Sequence, residues 1–136
     1  MRASNLSLLV AVNWMTLVAS TSIANGTGTV FYMTPGIGAC GYTNSSTDLV
    51  ASVSNVTFKA VRGATANPND NPICNKTIYL RMPHTSGPVA FSVVDYFPIG
   101  NSVGPDDVGI PKYYFQRYAP VDEGIIPNVS WSIMST

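Results

Sequence analysis

Val89-Ala90-Phe91-Ser92-Val93-Val94-Asp95 is the stretch that decides the fold class. Val89, Phe91 and Val93 alternate with Ala90 and Ser92, giving one apolar face and one small or polar face. A two-residue period reads as a strand half-buried against a core. The rhythm recurs on both sides. Ile78, Leu80 and Met82 alternate with Tyr79 and Arg81, and Val129, Trp131 and Ile133 alternate with Ser130 and Ser132. Weaker strand signals cover residues 29–32 and 49–53. Turn-rich segments separate them: Pro35-Gly36-Ile37-Gly38, residues 63–72 and residues 98–111. The only helix signal covers residues 112–118, opened by Pro111 at a first-turn position. Short strands with turns between them predict an all-β domain, a barrel or a sandwich.

The N-terminus reads differently. Arg2 is the only charge before Asp48, residues 6–18 are mostly apolar, and Ser22-Ile23-Ala24 is a small-x-small exit. This predicts a secretory signal peptide over residues 1–24, with a domain over 25–136. Cleavage after Ser20 is the other possibility. The apolar run falls short of the ~20 residues a membrane span needs, and no later segment is long and apolar enough to cross.

Export gives the cysteines a meaning. Cys40 and Cys74 are the two cysteines of the chain, and in an oxidising compartment they are expected to pair. Two free thiols, or a bond to another chain, are the alternatives. A bridge across 34 residues stabilises by roughly 3–4 kcal/mol. Five sequons, at Asn25, Asn44, Asn55, Asn75 and Asn128, are candidate glycosylation sites. Charged residues make up only 10% of the chain, so polar uncharged side chains or sugar must keep its surface soluble. Without Arg2, six basic residues face seven acidic ones with no basic run, which argues against nucleic acid or an anionic membrane as partner.

Catalytic patterns are sparse. His84 is the single histidine and sits in a polar stretch with no second ligand at metal spacing, so a solvated loop residue is expected and no metal or cofactor. No Gly-x-Ser-x-Gly elbow is present. Gly36-Ile37-Gly38 lacks the downstream glycine and helix of a phosphate loop, and tight-turn geometry accounts for it. Asp95, Asp106 and Asp107 remain as carboxylates that would suit glycosidic cleavage, or would tie strand ends and turns.

Taken in order, several segments resemble the fungal rare-lipoprotein-A-like, barwin-like proteins. These are Phe31-Tyr32 before Gly36-Ile37-Gly38-Ala39-Cys40-Gly41, then Asn71-Pro72-Ile73-Cys74, then Phe91-Ser92-Val93-Val94-Asp95. Asp106-Asp107 followed by Phe115, and the closing Ile126-Pro127-Asn128-Val129-Ser130-Trp131, complete the set. The resemblance implies a six-stranded double-psi β-barrel with one short helix, preceded by a signal-peptide helix. Relatives of that fold include expansin N-terminal domains, barwin-like endoglucanases, lytic transglycosylases and a bacterial papain inhibitor, so one activity does not follow from it.

Departures from the family pattern narrow the choice. Where relatives read Arg-Cys-x-x-Cys after Val-Val-Asp, this chain has Tyr96, Phe97, Pro98, Ile99 and Gly100. Aligned on Phe115, the aspartate that the catalytic members require falls on Gly109, which has no proton to exchange. No catalytic residue is therefore assigned. The expectation is a secreted, monomeric, non-catalytic binder of cell-wall polysaccharide or of an extracellular protein. A groove is expected to be lined by Tyr32, Asp95, Tyr96, Asp107, Tyr113 and Tyr114. The alternatives are a papain-type proteinase inhibitor, presenting residues 63–72 or 98–105, and a glycan-cleaving endoglucanase or lytic transglycosylase.

Overall fold

The alternating segment forms strand β4 (Val89–Phe97) in the computed structural model, which describes residues 20–136. Phe91 and Val93 are buried as their period requires, and so are Trp131 and Ile133. Val94 interrupts the period. Ala51 pairs with Val93 and Ser52 with Asp95, so Val94 is the extra residue of a bulge. It is buried yet lies outside the core cluster, and its carbonyl accepts from Cys40 N at 3.1 Å.

The remaining strands are β1 (Ser22–Met33), β2 (Val50–Ser54), β3 (Thr77–Leu80), β5 (Val108–Pro111) and β6 (Ile125–Met134). They close in the order β1-β5-β2-β4-β3-β6. β1 runs parallel to β5 and β2 parallel to β4, and the other four pairings are antiparallel. Two interlocked parallel pairs in one closed sheet make a double-psi β-barrel. Its interior is filled by Val30, Val53, Ile78, Leu80, Phe91, Val93, Val108, Ile110 and Ile133 with their neighbours.

Two elements escaped the sequence reading. β5 lies inside the stretch taken as turn. Helix α1 (Asn55–Ala60) follows β2 directly, so the single expected helix has a companion. The expected helix starts where Pro111 places it, as α2 (Lys112–Phe115), and continues to Tyr118 only as turns. Short 3-10 turns lie at Pro68–Asp70 and Val121–Glu123.

The signal-peptide reading falls largely on residues 1–19, outside the described residues. β1, however, begins at Ser22, with Ser22 opposite Met134 and Ala24 opposite Ile133. Ile23 and Ala24 pack against the core. β1 thus includes Ser22, Ile23 and Ala24. Among the described residues no helix is long and apolar enough to cross a membrane.

Cys40 and Cys74 are bonded, with Cα atoms 5.7 Å apart. The bridge joins the loop after β1 to the loop before β3, where Asn71 is buried. Its Nδ2 donates to Phe58 O at 2.7 Å, and its Oδ1 accepts from Ile73 N at 2.9 Å. Asn71 therefore ties the end of the 63–72 segment to α1.

Candidate functional site

Gly109 is where the resemblance places the aspartate of the catalytic barwin-like proteins. Gly109 sits mid-strand in β5, paired with Phe31 on one side and Ser52 on the other. It is buried. A β-carbon there would lie 3.0 Å from Phe31 Cε2 and 3.1 Å from its Cζ. The Phe31 ring meets Phe97 edge-on, with centroids 5.0 Å apart. The Phe31 ring thus occupies the space a side chain at 109 would need, with Met33 Cγ next at 3.5 Å.

The carboxylates nearby are already engaged. Asp95 Oδ1 accepts from Ala39 N at 2.9 Å and from Tyr96 N at 2.8 Å. Asp107 Oδ1 accepts from Thr29 N at 2.8 Å, and Oδ2 from Gly104 N at 2.7 Å. Each side chain fastens a loop to a strand, the role these residue types fill at strand ends and turns. Asp106 is exposed, and its backbone oxygen accepts from Trp131 Nε1 at 2.8 Å. Among the described residues no group of three His, Cys, Asp or Glu is placed to hold a metal. His84 is exposed at the tip of the β3–β4 hairpin with a left-handed φ of 60°.

Tyr32, Tyr113 and Tyr114 gather around α2. Tyr32 is 38% exposed and packs edge-on against Phe115, with Lys112 Nζ 5.7 Å from its ring centre. Tyr113 is 42% exposed and lies edge-on to Tyr114, with the Arg117 guanidinium 5.0 and 5.1 Å from the two ring centres. Tyr114 is half-buried, contacts Phe91, and donates its hydroxyl to Thr47 O. Tyr96 is tilted against Phe58, with ring centres 4.8 Å apart. The six expected groove residues are therefore an aromatic and cationic edge at α2, two loop-fastening carboxylates, and one packing tyrosine.

Of the sequons, Asn25, Asn75 and Asn128 are exposed, and Asn75 and Asn128 adopt left-handed φ values of 62° and 58°. Asn44 is half-buried, and its Nδ2, the atom a glycan would take, donates to Gly36 O and Tyr42 O at 3.3 and 3.1 Å. Asn55 is half-buried.

One exposed feature was missed. The loop over residues 35–44 carries Ile37 at 79% exposure. Its signal in the sequence is an isoleucine between two glycines within a run that has no charge from residue 33 to 47.

No protein-family model matches the chain, and no curated protein matches it. Solved structures do. The Streptomyces papain inhibitor superposes with a TM-score of 0.65 and 21% identity, over 82% of this chain and 96% of the inhibitor. A mutant Clavibacter michiganensis expansin in complex with cellohexaose gives 0.57 and 16%. The apo expansin gives 0.56 and 15%. These two matches cover 81% of this chain and 50% of the expansin, so the chain spans about half the expansin's length. What these proteins share with the chain is the double-psi barrel.

Proposed function

We propose that this chain is an extracellular member of the fungal rare-lipoprotein-A-like, barwin-like group that binds its partner without cleaving it. The observation that carries this reading is Gly109, buried under Phe31 where the catalytic members need a carboxyl. Loss of a general acid typically removes 10²–10⁴-fold of rate. Asp95 and Asp107 each accept two backbone hydrogen bonds, which supports a loop-fastening role for them. The Cys40–Cys74 bridge supports an oxidising, extracellular setting.

The partner we favour is a cell-wall polysaccharide, held along the α2 edge by Tyr32 and Tyr113. A tyrosine offers a sugar both a ring to pack on and a hydroxyl to bond. The test is to incubate the secreted protein with β-glucan, chitin oligomers and peptidoglycan fragments. Binding without turnover is expected. Turnover that vanishes in Asp95→Asn or Asp107→Asn would overturn the non-catalytic reading. Tyr32→Ala and Tyr113→Ala should each weaken binding by roughly 1–3 kcal/mol, by analogy with aromatic stacking platforms.

A second reading, inhibition of a papain-type protease, is favoured by one specific observation. The match spans 96% of the papain inhibitor but half of the expansin.

For processing, the reading adopts release after Ser20. This leaves β1 whole, whereas release after Ala24 removes Ile23 and Ala24 from the core. N-terminal sequencing of the secreted chain distinguishes Thr21 from Asn25.

A further inference from the structure

Asn25-Gly26-Thr27 lies inside β1, and a strand puts its first and third side chains on one face. Asn25 and Thr27 are exposed. Gly26 faces the other way, where a β-carbon would lie 2.8 Å from Cζ2 of the buried Trp131. The middle residue is thus glycine for a packing reason. The two residues that define an N-glycosylation acceptor stand together in solvent.

Pairing carries a row of side chains away from Asn25. Ser132 is opposite Asn25, Tyr79 is opposite Ser132, and Ala90 is opposite Tyr79. Directly paired residues share a face of the sheet. Ile78, Leu80, Trp131 and Ile133 are buried, so Tyr79 and Ser132 between them point out of the barrel. Thr27 extends the same face, its Oγ1 donating to Ser130 Oγ at 3.3 Å. Ser130 and Ser132, with Tyr79, Arg81, Pro88 and Met134, line a groove of about 430 Å³ there. Tyr79 is 38% exposed. It stands two strands from Asn25, roughly 10 Å at the spacing of sheet neighbours, which the innermost sugars of an N-glycan can bridge. A tyrosine ring bordered by serine hydroxyls offers a sugar both packing and hydrogen bonds.

The other four sequons lack this setting. Asn44 Nδ2 already donates to Gly36 O and Tyr42 O. Asn55 is half-buried, and its Oδ1 accepts from Ile99 N at 3.4 Å. Asn75 lies in the turn before β3, its amide bonded to Val93 O. Asn128 falls in the register shift of β6 against β1.

We propose that Asn25 carries an N-linked glycan whose innermost sugars lie over β6 and β3, against Tyr79. In the transfer, Asn25 Nδ2 bonds to the anomeric carbon of a lipid-diphosphate-linked oligosaccharide. The bond from that carbon to the diphosphate breaks, the diphosphate leaves with the electron pair, and Nδ2 loses one proton. Charged residues are only 10% of the chain, so sugar at this face supplies solubility. It also covers an aromatic side chain that the core does not use. The inference rests on the extracellular part of the reading above and on release after Ser20, which keeps Asn25 inside an intact β1.

The experiment secretes the chain from a fungal host and treats it with peptide N-glycosidase in heavy-oxygen water. Each glycosylated asparagine becomes a labelled aspartate that fragmentation mass spectrometry locates. Asn25 should be labelled, Thr27→Ala should abolish that label, and Thr27→Ser should keep it. Tyrosine nitration of the intact glycoprotein reads the placement. Tyr79 should nitrate about fivefold faster in Thr27→Ala than in the parent, the factor that about 1 kcal/mol of packing sets. Tyr113, on α2, should nitrate equally in both. A secreted chain unlabelled at Asn25 overturns the site. So does a label that persists in Thr27→Ala, since that comes from deamidation of Asn25-Gly26. A labelled Asn25 with Tyr79 nitrating equally in both chains overturns the placement over β3. A chain that the host does not export brings down the extracellular reading and this inference together.

Discussion

β2 and β5 lie side by side and antiparallel in the sheet, and each passes directly into a helix, β2 into α1 and β5 into α2. Each also runs parallel to a longer strand, β4 and β1 respectively. The two halves are joined in different ways. At the first junction Ser54 caps α1, its Oγ accepting from Thr57 N at 3.0 Å and donating to Pro105 O at 2.6 Å. At the second, Pro111 opens α2 with no side-chain cap. The β2/β4 half also holds the disulfide-bonded loop, because the Cys40 amide bonds Val94 O of β4. The β1/β5 half relies on Asp107, which fastens Thr29 and Gly104. Where the halves meet, Ser52 faces Gly109. In this barrel, equivalent backbone positions are held by unrelated side-chain chemistry. A site tied to one half can therefore be lost while the fold is kept.

The largest expected effects test whether both halves carry equal weight. Phe58 of α1 and Phe115 of α2 are 2% and 0% exposed. Phe58→Ala and Phe115→Ala should each cost about 3–5 kcal/mol in urea unfolding. A cost for one that is less than half the other's would break the equivalence. Next comes the covalent asymmetry. Replacing Cys40 and Cys74 by Ser together should cost about 3–4 kcal/mol, measured the same way. It should also raise hydrogen exchange in residues 35–44 while sparing the amides of α2.

Gly109→Asp should cost about 3 kcal/mol, because it forces a carboxylate against the Phe31 ring. Adding Phe31→Ser should recover part of that loss, so that the two substitutions couple in a double-mutant cycle. Additive costs would mean that Phe31 is not what fills the space. The smallest effect is at the cap. Ser54→Ala should cost about 1–2 kcal/mol and speed exchange of the Thr57 amide, with α2 unchanged.

Each half was legible by one of its two pieces. Leu49-Val50-Ala51-Ser52-Val53 is rich enough in valine to announce β2, and Pro111 announces the start of α2. β5 is hidden because all four of its residues are buried, so no alternation shows, and Gly109 and Pro111 read as turn. α1 is hidden because Asn55, Val56 and Thr57 are poor helix formers, and the Ser54 cap lacks a glutamate three residues on. Tertiary contacts supply what propensity does not, chiefly the burial of Phe58.

The site was legible to a similar depth. Aromatic residues near α2 were recognised as candidates, and Asp95 and Asp107 were seen as possible loop ties. How these six stand relative to one another depends on barrel register, which no local pattern encodes. Ile37 was passed over because its two flanking glycines explain a turn so well. Gly38, read for its close approach to Val94 rather than for turning, would have drawn attention to the isoleucine beside it.

The order of strands around the barrel has a consequence for how the chain folds. β1 pairs with β5 and β6, the last two strands of the sequence. As the polypeptide emerges, its first strand has no strand to join until residue 108 and beyond has followed. Both cysteines and the β3–β4 hairpin are available well before that. Folding should therefore begin in the middle, around the hairpin and the covalent link, with closure of the ring as the late, slow step that long-range pairing imposes. Until then β1 is an unpaired edge, the condition in which a nascent strand finds the wrong partner.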